Sequence, residues 1–218
     1  MRRLTLIALM VHLAGCAYNI PSYQPLDKNL SLLSSGARPV QVVQEEPEFD
    51  DDGSITCRFA GSVTLPDGES FSDYITTALK DELHSARLFS ENAASKLHVT
   101  VKRVDFSSHL GDTNWYIDTD YVLDGRAIYV SSVYHDRSSY LAQKACNNMA
   151  RYFRKAVAEH LRKLYMKPEF RAAIGFTEKS QPPSSDQNRF QQLRQLYEDG
   201  LITQEEYKQK RESLLNEL

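Results

Sequence analysis

The chain has 218 residues, with 29 acidic against 26 basic side chains and a net charge of −3. That length suits one moderate domain with additions. No basic stripe interleaved with aromatics stands out, which argues against a nucleic-acid partner, and no apolar run reaches the ~20 residues of a membrane-spanning helix.

The first element is a signal-like segment. Met1-Arg2-Arg3 gives a positive start, Leu4 to Leu13 an apolar run, and Ala14-Gly15 a small-residue exit. This is the layout of a secretory signal peptide over residues 1–15. A buried helix is the alternative, but the paired arginines at the chain start argue against it. Leu13-Ala14-Gly15-Cys16 resembles the lipobox of bacterial lipoproteins. The resemblance implies a diacylglycerol on the Cys16 thiol, cleavage between Gly15 and Cys16, and acylation (commonly palmitate) of the new amine. It also implies a periplasmic protein whose partner is the membrane, reached through that lipid. Ala17, rather than aspartate, after the cysteine implies the outer membrane. Several acyl chains exceed the two-signal threshold for stable anchoring. Cleavage removes Arg2 and Arg3, leaving 24 basic against 29 acidic side chains in the mature chain.

Residues 16–52 read as a lipidated tether. Pro21, Pro25, Pro39 and Pro47 and the acidic run Glu45 to Asp52 interrupt any strong period, as extended or disordered chain does. Pro39 to Val43 is a candidate edge strand. Asp50-Asp51-Asp52-Gly53 lacks the later ligands of a calcium loop and reads as a solvated acidic turn.

A domain over residues 53–174 follows. Ile55, Cys57 and Phe59 alternate with polar residues as a half-buried strand. Pro66-Asp67-Gly68 is a turn, and Ser70-x-x-Asp73 has the form of a capping box. It opens a helix bearing Phe71, Ile75, Ala78, Leu79, Leu83 and Ala86. Leu97, Val99 and Val101 alternate as a strand, and the phase break at Val104 and Phe106 predicts a bulge near Lys102-Arg103. Trp115 to Leu123 and Ala127 to Tyr134 form a hairpin around Asp124-Gly125. A long helix, about Ser139 to Met166, carries Ala142, Cys146, Met149, Phe153, Val157, His160 and Leu164 on one stripe, and Pro168 ends it. The expected class is α+β: a mainly antiparallel sheet covered on one face by two helices, plus a C-terminal two-helix hairpin. In pattern the domain is similar to small envelope lipoproteins, a likeness that carries little about function.

Residues 175–188, with Pro182-Pro183-Ser184-Ser185, form a polar linker. In the hairpin over 189–218, a first helix with Leu193, Leu196 and Tyr197 ends at Asp199-Gly200. A capping box, Thr203-x-x-Glu206, opens a second helix with Tyr207, Leu214, Leu215 and Leu218 on one face. Gly200-Leu201-Ile202-Thr203-Gln204-Glu205-Glu206-Tyr207 resembles the core of the SHOCT (short C-terminal) family. That resemblance implies an appended interaction module rather than a catalyst. Leu193, Leu196, Tyr207, Leu214 and Leu215 would then contact a protein partner or a second copy.

Cys57 and Cys146 remain as an even pair in an oxidising compartment. Both point into the layer between sheet and helices, as a disulfide or as two separate buried thiols, and the disulfide is favoured. The histidines lack metal-type spacing, so no metal or cofactor is expected, and His160 reads as a core residue rather than a ligand. Asp118 and Asp120 share a strand face. They fit either acid–base chemistry on a glycan or a solvated sheet surface. No Gly-x-Ser-x-Gly elbow, Ser-x-x-Lys pair or phosphate loop occurs. The reading is a non-catalytic, membrane-anchored envelope lipoprotein for assembly or protein interaction. The alternatives are a cell-wall hydrolase and a small-ligand or lipid carrier.

Overall fold

A computed structural model describes residues 17–108, 112–176, 193–194, 196–197 and 203–216. The signal-like segment with Cys16, the linker from 177 to 188 and Leu201-Ile202 lie outside the described residues. The chain divides into two compact units, Met1–Phe176 and Thr177–Leu218.

The main unit is α+β. Its larger sheet has the order β2 (Val40–Gln44), β5 (Ser95–Ser108), β6 (Asp112–Leu123), β7 (Arg126–Arg137). The last three strands are antiparallel, while β2 runs parallel to β5 at the edge. A second sheet has the order β1 (Ala17–Asn19), β4 (Gly61–Thr64), β3 (Ser54–Cys57), with β1 parallel to β4. Helices α1 (Asp27–Leu33), α2 (Phe71–Ser85), α3 (Ala142–Tyr165) and α4 (Pro168–Ala173) complete it.

Local chemistry explains most boundaries. Ser70 and Asp73 make the reciprocal capping box of α2. The β6–β7 turn places Asp124 at φ 49° and Gly125 at φ 79°, the left-handed pair that a two-residue hairpin requires. The register of β5 against β6 shifts between Val101 and Arg103, the bulge the phase break predicts. Inward positions of the sheet then meet α2 and α3. Trp115, Phe71 and Phe153 form the aromatic centre, with the Trp115 and Phe153 rings 4.6 Å apart, and the Trp115 Nε1–H donates to Met149 O at 3.0 Å. On its other side α3 packs against β1, β4 and α1. A helix that packs against two layers buries a wider face than one stripe, so Ala145, Ala150, Ala156 and Leu161 are buried beside the expected residues, while Lys144, Asn147, Arg151 and Lys155 keep one face exposed.

Four expectations are corrected. Residues 17–52 are not a tether: they supply β1, α1 and β2, and Ile20, Leu33, Val40 and Val42 join the core. Parallel pairing with β4 and β5 satisfies their backbone groups, and the backbone N–H groups of Glu45 and Glu48 extend the ladder by donating to Val99 O and Val101 O. The acidic turn is not merely solvated either. Asp51 accepts from Phe71 N at 2.7 Å and Ser72 N at 2.8 Å, capping α2 from a distance, where a carboxylate complements the helix dipole. Next to it Gly53 sits at φ 69°, where an added Cβ would meet Glu69 O at 2.0 Å. Finally, Phe59 does not continue the Ile55–Cys57 face. The strand ends at Cys57, and Phe59 lies in the turn, fully exposed. Pro168 also begins α4 rather than simply ending α3, since proline suits a helix's first position.

Candidate functional site

The sulfurs of Cys57 and Cys146 are bonded, with Cα atoms 5.8 Å apart. β3 turns Cys57 inward and the first turns of α3 present Cys146 to it, both at 0% exposure. The bond fastens the β3–β4 hairpin of the small sheet to the helix that fills the centre of the main unit.

Asp118 and Asp120 both lie on the face of β6 away from α2 and α3, between inward residues Ile117, Thr119 and Tyr121. Lys102 Nζ lies 3.3 Å from Asp120 and 2.6 Å from Glu48, and Arg103 lies 3.8 Å from Asp118. The Arg103 guanidinium also stacks 4.8 Å above the Tyr116 ring. The two carboxylates therefore belong to cross-strand ion pairs on an open sheet surface. His160 is buried, with Nδ1 2.8 Å from the Ser132 hydroxyl. Burial, reinforced by nearby Lys163, lowers its pKa to about 3, so the ring is neutral and acts as a core polar residue. Among the described residues no group of three His, Cys, Asp or Glu side chains is placed to hold a metal.

In the C-terminal unit, Thr203 and Glu206 form the expected capping box of α5 (Gln204–Asn216). Glu206 N donates to Thr203 Oγ1 at 3.3 Å, and Thr203 N to Glu206 Oε2 at 2.8 Å. The backbone hydrogen bond from Thr203 holds the Glu206 carboxyl below its usual pKa. Tyr197 stacks on Tyr207, rings 5.0 Å apart. Of the predicted contact residues, Leu193 is buried, Leu196 is 40% exposed, and Tyr207 and Leu214 are half-buried. The Leu215 side chain lies outside the described set.

Residues 189–215 match the family model of the short C-terminal domain, SHOCT. The comparison with curated proteins found no match. Among solved structures, the chain is similar to an uncharacterized protein at 12% identity and a TM-score of 0.38, covering 67% of this chain and 96% of that one. It is similar to a putative lipoprotein from Caulobacter crescentus CB15 at 16% identity and a TM-score of 0.37, covering 69% and 98%. The hypothetical protein CT253 from Chlamydia trachomatis matches at 6% identity and a TM-score of 0.36, covering 65% and 100%. At these identities and scores the resemblances carry no functional information. Among the described residues no helix is long and apolar enough to cross a membrane.

One polar cluster escapes the sequence reading. Glu82 of α2 is fully buried. It accepts from the Tyr23 hydroxyl at 2.5 Å and from Asn29 Nδ2 at 3.0 and 3.1 Å, while the same amide nitrogen lies 2.9 Å from Ala158 O on α3. Burial raises the Glu82 pKa, and the Tyr23 hydrogen bond opposes that rise. Residues 23–29 are thereby stapled to α2 and α3 through one carboxyl group. The signal was available: Glu82 follows Ile75 by seven residues and Ala78 by four, on the apolar stripe of its helix.

Proposed function

We propose that the protein is a non-catalytic lipoprotein of the bacterial envelope. Cys16 carries its lipid, the main unit faces the periplasm, and the C-terminal SHOCT module engages a protein partner or a second copy. The observation that carries this reading is the signal-like run that ends in the lipobox Leu13-Ala14-Gly15-Cys16. Directly after it, Ala17–Asn19 pairs with β4 of the main unit. The Cys57–Cys146 bond fits an oxidising compartment such as the periplasm. Outer-membrane placement, with the protein on the inner leaflet, follows from Ala17 after the cysteine. Half-exposed Leu196 and Tyr197 in a unit of about forty residues favour contact with another chain, since so small a unit rarely buries its apolar face alone.

The test is Cys16→Ser in the full-length chain. The variant should stop taking up labelled palmitate and should accumulate uncleaved or soluble. Continued palmitate labelling would end the reading. Membrane fractionation of the unmodified sequence decides the sorting: recovery with the inner membrane would reverse the outer-membrane assignment.

A further inference from the structure

Three large apolar side chains stand in water at one end of the main unit. Phe59 is 102% exposed, Tyr140 78% and Leu141 71%. They are remote in sequence, but one guanidinium joins their backbones. Arg58, next to Phe59, donates to Ser138 Oγ at 3.1 Å and Ser139 O at 2.9 Å, just before Tyr140, and to Ser108 O at 2.7 Å. β1 brings Ala17 to the same end. Ala17 pairs with Ser62, three residues from Phe59, and the Tyr18 hydroxyl donates to Ala60 O at 3.5 Å.

Phe59 occupies a costly place, and its ring buries no surface in return. The β3–β4 turn holds Arg58 at φ 47° and Phe59 at φ 54°, a left-handed pair that asparagine and glycine suit best. A bulky aromatic is an outlier in that region, and a phenyl ring left in water contributes no burial. Scattered exposed apolar residues are ordinary, whereas a cluster of them marks a contact surface. A local rule broken without internal compensation is expected where function demands it.

We propose that this tip docks on the bilayer, with Phe59, Tyr140 and Leu141 entering the interfacial layer that holds the lipid of Cys16. The proposal rests on the anchoring reading above. One residue of chain reaches at most ~3.6 Å, so a lipid on Cys16 leaves β1 no room to stand clear of the headgroups. The end bearing Ala17 must then face the membrane, and that end carries the exposed aromatics and leucine. Aromatic rings and leucine are side chains that settle at the interface. α3 begins beside them with no acidic residue in its first turn, so its dipole adds attraction for anionic headgroups. The Cys57–Cys146 bond ties the hairpin to α3, so the tip approaches as one body. The chain leaves the main unit near the other end of α3, a helix of 24 residues and so roughly 36 Å long.

The experiment places a reporter at the tip of the full, lipidated protein in vesicles of phosphatidylethanolamine and phosphatidylglycerol, with or without brominated acyl chains. Phe59→Trp adds an indole at the tip, and Tyr129→Trp adds one on the open sheet face, where the native ring is 55% exposed. Both are compared with the unsubstituted protein, whose own Trp115 is buried. The expected result is a blue shift and bromine quenching of the added emission at position 59 and neither at position 129. Water-like, unquenched emission at position 59, in a protein that still takes up palmitate and floats with the vesicles, overturns the docking proposal and leaves the anchor reading standing. Equal quenching at both positions also overturns it, since the unit would then lie on its side. Failure to take up palmitate or to float overturns the anchor reading, and the docking proposal with it.

Discussion

Removing the Cys57–Cys146 cross-link should cost the main unit about 4–5 kcal/mol. The bond joins residues 89 apart in sequence, and for a loop of that size the chain-entropy relation gives about 4.6 kcal/mol at 25 °C. The perturbation is the double substitution Cys57→Ala and Cys146→Ala. It removes little packing, because Met149 and Phe153 continue the same buried stripe of α3. In a unit of this size each kcal/mol shifts the melting temperature by roughly 2–4 °C, so a fall of roughly 8–20 °C is expected. Trp115, the chain's one tryptophan, reports the transition, since its indole donates to the backbone of the helix that carries Cys146. Both cysteines are 0% exposed, so reductant alone should act slowly on the native protein and quickly once denaturant opens it. A loss under about 1 kcal/mol would mean the denatured chain is not restrained as reasoned. Two free thiols by mass in the non-reduced protein would mean that the bond itself is absent.

The Glu82 cluster gives a prediction with a definite sign in pH. Its pKa is raised on folding, so its stabilising share is fully present below the unfolded value of about 4.3 and is lost as pH rises through the folded pKa. Glu82→Gln should therefore remove that loss, whereas Glu82→Ala should cost about 2–4 kcal/mol by stranding the Tyr23 hydroxyl and the Asn29 amide; melting curves across pH check both, and a Gln variant with an unchanged pH slope would refute the assignment. His160 works in the opposite sense. Its folded pKa is lowered to about 3, so its contribution is present above the unfolded value of about 6.5 and is lost as pH falls toward 3; His160→Gln should flatten that acid limb, and an unaltered limb would exclude His160 as its source. Truncation after Ser180 should leave the melting temperature of the main unit and membrane anchoring intact but abolish self-association in light scattering or the recovery of pull-down partners. Unfolding of the main unit on truncation would make the hairpin part of its core instead.

What the sequence made legible, and what it hid, divide along the range of the interactions involved. The α2 cap, the β5 bulge and the Asp124-Gly125 turn each arise within a few residues, so residue type and spacing disclose them. The disulfide is long-range, yet two strong periodicities, strand alternation at Cys57 and the helical stripe at Cys146, point both thiols into one layer. Nothing comparable marks β1, and β2 shows in the sequence only as the candidate edge strand Pro39 to Val43. Each is short and pairs in parallel with a strand at least forty residues away, and prolines lie on both sides of the segment between them. Their stability comes from a partner's edge and not from their own pattern. Asp51 belongs to the same class, because its caps lie twenty and twenty-one residues on. The tip is hidden for the opposite reason. Arg58-Phe59 carries no turn signature, and the turn is braced by Arg58, which reaches a carbonyl at the end of β5 and a carbonyl and a hydroxyl in the segment before α3. Alternation therefore assigned Phe59 to the core face of a strand that in fact stops two residues earlier. A residue that breaks its local pattern in this way, under a long-range constraint and with its ring left in water, is the kind of position at which a surface is built for something outside the chain.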